Sequence, residues 1–246
     1  MYRFFVSKDQ LKDELISITG DDYNHIRNVL RMKIGEEILL SDGADKEYAG
    51  FIDSYDDSGT VKVRITDVFG ESRELQARIL LFQGYPKGDK MEQIIQKAVE
   101  LGAYEIVPVM MKRCVVKLDE KKAEKKVERF NSIALSAAKQ SKRGIIPNVS
   151  GVMNMEQAIH YAKKLDYVII PYESAEGMEY SKSVMAEAVN HSSIGVFIGP
   201  EGGFDAGEIE MLKNINGRIM SLGNRILRTE TAGMTALSIL MYQLEK

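Results

Sequence analysis

From Thr60 to Phe69 the stretch "TVKVRITDVF" sets Val61, Val63 and Ile65 against Lys62, Arg64 and Thr66. A period of two belongs to a strand with one buried face. "EEILLSDG" and "KEYAGFIDSY" predict two more strands, separated by turn residues around Gly43 and Asp45. Upstream, in "DDYNHIRNVLRMKIG", Ile26, Val29 and Leu30 recur at helical spacing, with Asp22 as cap and Gly35 as terminator. Short strands, one helix and a turn every ten residues or so predict a compact barrel.

After "FGESREL" the rhythm changes. "ARILLFQG" is a continuous apolar run, as in a strand buried on both faces. The next segment places Met91, Ile94, Ile95, Ala98 and Leu101 on one helical face. Asp89 and Glu92 have the spacing of a capping box, and Gly102 is placed to end the helix. Strand and helix patterns then alternate: "EIVPVM", "NMEQAIHYAKK", "DYVIIP", a polar helix, "IGVFIGP", "AGEIEMLKN", "RIMSLG" and "TAGMTALSILMYQLE". That alternation predicts an α/β domain on a mainly parallel sheet. The boundary falls near residues 70–76, giving domains 1–72 and 73–246. "DEKKAEKKVERF" reads as a solvated helix face. The final helix is apolar on almost every side, so it belongs in a core or against a second subunit.

Composition narrows the classes of function. The 246 residues carry a net charge of −3, so any nucleic-acid partner needs a local basic face. A single cysteine, Cys114, excludes an intrachain disulfide and fits a reducing cytosol. No run reaches membrane-spanning length, and a cytoplasmic protein without membrane contact is expected. His25, His160 and His191 are scattered, so no metal site is expected, and His160 reads as structural. No GxSxG elbow is present for a serine hydrolase.

Three of the strands end in unusual loops: "IIPYES", "FIGPEGGF" and "SLGNRILRTETAG". Ligands in parallel sheets collect beyond the carboxyl ends of strands. "FIGPEGGF" is neither a Walker A loop nor a GxGxxG fingerprint. Asp205 and Glu208 have capping-box spacing, so a protein carboxylate already occupies the next helix N-terminus. That disfavours a phosphate there and favours a neutral or cationic ligand. Two readings of the turn stand: a tight connection, or a backbone cradle. Ile226 and Leu227 are apolar residues in a surface connection; they either pack beneath it or form a slot for a heteroaromatic ring.

"IGPEGGF" followed by "LGNRILRTETAGMTAL" resembles the paired signature of the SPOUT methyltransferases. The chain is most similar to the bacterial family that methylates N3 of a uridine in 16S ribosomal RNA. The likeness extends to "HIRNVLRMKIGEEILLSDG", "KGDKMEQIIQKAVELG" and "AAKQSKRGIIP", nearly the whole chain. It implies a PUA-like N-terminal β-barrel that binds RNA, a C-terminal SPOUT α/β domain with a trefoil knot, S-adenosylmethionine as methyl donor, and a homodimer. Periodicity alone predicts an unknotted doubly wound sheet, because knots are rare. Carried over, the donor lies against Tyr172, Glu173, Ile198, Gly199, Pro200, Glu201, Gly202 and Gly203. It also meets Leu222, Gly223, Asn224, Ile226, Leu227, Arg228, Thr231 and Ala232.

A sulfonium ligand without a phosphate suits a backbone cradle with an apolar slot. Arg228 is the candidate to stabilise a uridine anion, with Glu230 or Glu201 as general base; Glu173, Glu201 or Glu230 is the candidate to face the sulfonium. Candidate RNA contacts are Arg27, Arg31 and Lys33 in the first domain, Lys112 and Arg113 after a sheet strand, and Lys139, Gln140, Lys142 and Arg143. The expected substrate is 16S ribosomal RNA, within the small ribosomal subunit. The alternatives are a tRNA-directed SPOUT methyltransferase and a non-catalytic RNA-binding or ribosome assembly protein.

Overall fold

The computed structural model describes residues 2–12, 14–43, 46–69, 74–173 and 177–245. The turn expected at Asp45 and the boundary expected between residues 72 and 73 lie outside the described residues. The chain divides into two compact units, Met1–Glu74 with Ala138–Ile146, and Leu75–Ala137 with Pro147–Lys246.

The first unit contains β1 (Tyr2–Phe5), β2 (Leu11–Lys12), β3 (Leu15–Ile18), α1 (Gly20–Asn24), β4 (Glu37–Ser41), β5 (Glu47–Asp56) and β6 (Thr60–Phe69). They form a six-stranded sheet in the order β1-β4-β5-β6-β3-β2, parallel only between β1 and β4. The alternation in β6 has its expected meaning: Val61 and Val63 are wholly buried beside Ile16, Ile38 and Ile52. β1 escapes the pattern because Arg3 points inward. Its guanidinium donates to the carbonyls of Lys142 and Arg143 and pairs with Glu47 at 2.7 Å, which makes the burial tolerable.

Asp22 does not cap the helix, which starts at Gly20 and widens into a π turn over His25–Val29. Its carboxylate pairs instead with Lys139 at 2.7 Å. Nor does Gly35 end that helix. The chain turns away at Arg31, whose φ is 54°, and Gly35 lies in the turn that follows.

The second unit contains β7 (Arg78–Gly84), α2 (Lys90–Glu100), β8 (Glu105–Met110), α3 (Glu120–Ser141, whose last residues belong to the first unit), β9 (Asn148–Val149), β10 (Met153–Asn154) and α4 (Met155–Ala162). Then come β11 (Tyr167–Pro171), α5 (Met178–Ala188), β12 (Ser193–Ile198), α6 (Ala206–Lys213), β13 (Arg218–Met220) and α7 (Thr229–Leu244). All recorded pairings are parallel, and the order is β10-β8-β7-β12-β11-β13, with β9 beside β8. The α/β reading is borne out. At the centre of the sheet the rings of Phe82 and Phe197 stack at 4.3 Å, both fully buried.

Gly102 does end α2: its φ is +89°, and the N–H of Ala103 reaches back to the carbonyl of Ala98 at 2.9 Å. The capping box at Asp89 and Glu92 does not form. Asp89 makes no side-chain cap bond, and Glu92 takes the guanidinium of Arg129 instead. The box at Asp205 and Glu208 forms in full. α7 buries Gly233, Ala236, Leu237, Leu240 and Leu244, and leaves Tyr242 84% exposed. Among the described residues no helix is long and apolar enough to cross a membrane.

Candidate active site

β12 and β11 are neighbours in the sheet, and β13 lies beside β11, so three strands deliver their carboxyl ends to one place. A cavity of about 470 Å³ opens there. Its walls are Pro171, Tyr172 and Glu173 at the end of β11, Ile198 to Phe204 at the end of β12, and most of Ser221 to Thr229 after β13, with Ala232 and Lys90.

The glycines have separate physical reasons. A Cβ on Gly199 would come within 3.2 Å of the Gly203 main chain and of the Phe204 ring. A Cβ on Gly202 would meet Arg113 at 3.0 Å. Gly203 has open space but a φ of +68°, and its N–H closes the turn onto the Pro200 carbonyl at 2.9 Å. The turn is therefore bare for reasons of packing and backbone conformation before any ligand is considered. Under it, Phe204 is buried and meets the Tyr172 ring edge-on at 6.3 Å. On the other wall Ile226 stands 85% exposed at the cavity edge, which answers the question left by the sequence: it does not pack beneath the loop.

Charge is organised around one lysine. Lys90, at the start of α2, places its ammonium 3.0 Å from Glu201 and 3.5 Å from Glu230. The Glu201 carboxylate also accepts from the Lys87 N–H at 3.1 Å. Burial pushes the Glu201 carboxyl up, but Lys90, its own N–H and that of Lys87 outweigh burial and hold it below its ordinary range. The hydrogen bond to Glu201 in turn raises Lys90. Arg228, the residue before α7, lines the cavity, and its guanidinium has no protein partner among the described residues. Arg113 donates to the Gly202 carbonyl at 2.9 Å from outside the turn.

The profile of the RNA methyltransferase domain family matches residues 73–241, and that of the RNA methyltransferase PUA domain matches residues 18–66. The chain is 39% identical to ribosomal RNA small subunit methyltransferase E of Bacillus subtilis, over all of this chain and 98% of the relative. A crystal structure of ribosomal RNA small subunit methyltransferase E from Neisseria gonorrhoeae, bound to S-adenosyl methionine, superimposes with a TM-score of 0.83. It is 27% identical and the match covers 99% and 98% of the two chains. A putative methyltransferase of Legionella pneumophila, solved with S-adenosylmethionine bound, gives 0.82 at 32% identity, over 98% of this chain and 97% of the other. This chain belongs to the ribosomal RNA small subunit methyltransferase E family. The PUA-like first unit and the parallel-sheet methyltransferase unit expected from the two motifs are both borne out.

Within this methyltransferase fold, the residues singled out from the motifs divide. Tyr172, Glu173, Ile198 to Gly203, Leu222, Gly223, Ile226, Leu227, Arg228 and Ala232 line the cavity; Asn224, Thr231 and Glu230 do not. Lys90, Pro171, Phe204, Ser221 and Thr229 line it too, unanticipated, as does Arg225 from within the expected loop. Lys90 lies in "KGDKMEQ", a stretch that carries the family likeness, but nothing in its local pattern distinguishes it from any other lysine on a helix's first turn.

The basic candidates also divide. Arg27, Arg31 and Lys33 are exposed in the first unit, and Arg27 lies 4.3 Å over the Tyr55 ring. Gln140 and Lys142 are exposed, Lys139 is partly engaged by Asp22, and Lys112 pairs with Asp205 at 3.1 Å. Arg143 is a correction: it is buried, 6% exposed, with its guanidinium on Glu74, so it holds the first unit together rather than offering a charge to RNA. His160 is likewise exposed on α4 rather than structural.

Proposed function

We propose that this enzyme transfers the methyl group of S-adenosylmethionine to N3 of a uridine in 16S ribosomal RNA, on the small ribosomal subunit in the cytoplasm. The observation that carries the reading is the cavity itself. It offers main chain, an apolar edge and acidic side chains, and on its wall stands the Arg228 guanidinium, which has no protein partner among the described residues. That set fits a donor with a sulfonium, an adenine and no phosphate. When bound, the donor supplies an electrophilic methyl carbon.

The chain's own residues do the rest. The turn from Gly199 to Gly203 and the segment from Leu222 to Leu227 hold and orient the donor, and orientation alone can contribute roughly 7–11 kcal/mol at best. Uridine N3 is a poor nucleophile until it loses its proton. Arg228 donates to a uracil carbonyl oxygen and so favours the anion. Glu201 holds Lys90 and the turn, and its carboxylate, held below its ordinary range, is a weak proton acceptor; Glu230, beside Lys90 at the start of α7, is the candidate to take the N3 proton.

Arg27, Arg31, Lys33, Arg113, Gln140 and Lys142 contact RNA, positioning it through phosphates. The exposed Tyr242 and the half-buried Ile239 and Met241 of α7 form the contact between two copies in a homodimer. The trefoil knot belongs to the same reading. In its support, the chain leaves β13 at the sheet edge and returns to put Thr229 against Gly199, beyond β12.

Methyl-labelled donor with small subunits from cells lacking this activity provides the test, the label being followed into digested nucleosides. Label in N3-methyluridine of 16S RNA is expected. Label in tRNA, in another nucleoside, or in none while the folded protein stays on the subunit would overturn the assignment. In the same assay Arg228→Ala should lower turnover about a hundredfold with donor affinity within threefold of wild type. Transfer by that variant at the wild-type rate removes Arg228 from the mechanism.

A further inference from the structure

β7 is apolar from Ile79 to Phe82, and then comes Gln83, wholly buried. Its Nε2 donates to the Gly84 carbonyl at 3.0 Å and to the Thr229 hydroxyl at 2.8 Å. A carbonyl oxygen only accepts, so the amide's nitrogen end must face this way and the Thr229 oxygen must accept from it. The Thr229 proton is then committed to the Gly199 carbonyl, 2.6 Å away. One short chain of hydrogen bonds thus joins the end of β7, the first residue of the glycine turn and the first residue of α7.

Gln83 lies outside the cavity wall, whereas Gly199 and Thr229 are part of it and Arg228 immediately precedes Thr229. Its other amide atom, Oε1, is buried without a hydrogen-bond partner among the described residues. A buried amide with one end unsatisfied is less favourable than a leucine of similar volume, so packing does not account for it.

We propose that Gln83 is a positioning residue: through Thr229 it fixes the glycine turn and the start of α7 relative to each other, and so holds the donor cradle in register with Arg228. The proposal rests on the reading of the cavity as the methyl-donor site. Both segments follow strands other than β7; the Thr229–Gly199 bond joins them in the interior, Lys90 joins Glu201 to Glu230 nearer the surface, and Gln83 fixes which way the Thr229 hydroxyl donates.

Gln83→Leu, Thr229→Val, their double variant and Thr229→Ser test it, with donor Kd by calorimetry, kcat and KM for small subunits, and Tm. Gln83→Leu and Thr229→Val should each raise donor Kd about tenfold and lower kcat, with KM for subunits unchanged. The double variant should be no worse than the weaker single, because both cut one chain of bonds. Thr229→Ser keeps the hydroxyl and should restore wild-type values. Losses that multiply in the double variant overturn the proposal. If Gln83→Leu does not fold, the threonine pair decides alone, and equal values for valine and serine overturn it. A wild-type protein that binds no donor sinks the reading of the cavity; one that binds and turns over, beside an equally good Thr229→Val, sinks only the role of Gln83.

Discussion

Replacing Gly84 by alanine should damage the donor site from outside it. Gly84 ends β7, is buried, and does not line the cavity. A Cβ there would lie 2.5 Å from the Pro200 nitrogen, 2.7 Å from its Cδ and 2.9 Å from the Gly199 carbonyl carbon. Carbon contacts relax near 3.5–4 Å, so the turn must retreat by about 1 Å. It cannot do so freely. Pro200 has a fixed φ, and the Gly199 carbonyl is held by Thr229. Overpacking of this kind costs roughly 1–3 kcal/mol, which for a chain of this size lowers Tm by roughly 2–12 °C. A displacement of about 1 Å in a positioning element can cost on the order of a hundredfold in rate.

Gly203→Ala is the control. Gly203 lines the cavity but has nothing within 4 Å of a new Cβ, so it incurs only the left-handed backbone, roughly 1–2 kcal/mol. Calorimetric donor binding and thermal melts on both variants should show the larger loss of affinity at Gly84, the residue farther from the ligand. Donor affinity within twofold of wild type and an unchanged Tm in Gly84→Ala would refute the reasoning.

Two further outcomes follow from the charges. Glu201 titrates below its ordinary 4.5 and Lys90 above its ordinary 10.5. A lowered carboxyl contributes above its unfolded value and is lost as pH falls through the folded one; a raised ammonium contributes below its unfolded value and is lost as pH rises through the folded one. The Lys90–Glu201 contact should therefore persist from about pH 5 to 10 and be lost only below the ordinary carboxylate range, where donor Kd should weaken with an acid onset. Lys90→Met should move that acid onset upward, and an unmoved onset would discount the contact. Separately, Arg143→Met leaves Glu74 without its guanidinium in a largely buried position, a loss of roughly 3–5 kcal/mol. Urea unfolding should show it, with RNA affinity of the folded protein unchanged; a normal urea midpoint with lost RNA binding would return Arg143 to the RNA surface.

Periodicity determined the elements whose side chains obey one environment. β6 alternates because one face is buried, β7 and β12 are continuous because both are, and Gly102 and the Asp205–Glu208 box end and begin helices through bonds within a few residues. Motif order determined the family and most of the cavity wall, since those loops are contiguous in sequence. Tertiary structure decided whatever depends on a partner far along the chain. Arg3 is buried because the carbonyls of Lys142 and Arg143 reach it, and Asp22 is drawn from capping by Lys139. Arg143 is removed from the surface by Glu74, and Lys90 enters the site only because Glu201 and Glu230 converge on it. A charged or amide side chain takes its role from the partner that satisfies it. No local pattern in a sequence names a partner more than a hundred residues away, and Gln83, read as the tail of an apolar strand, is the clearest instance.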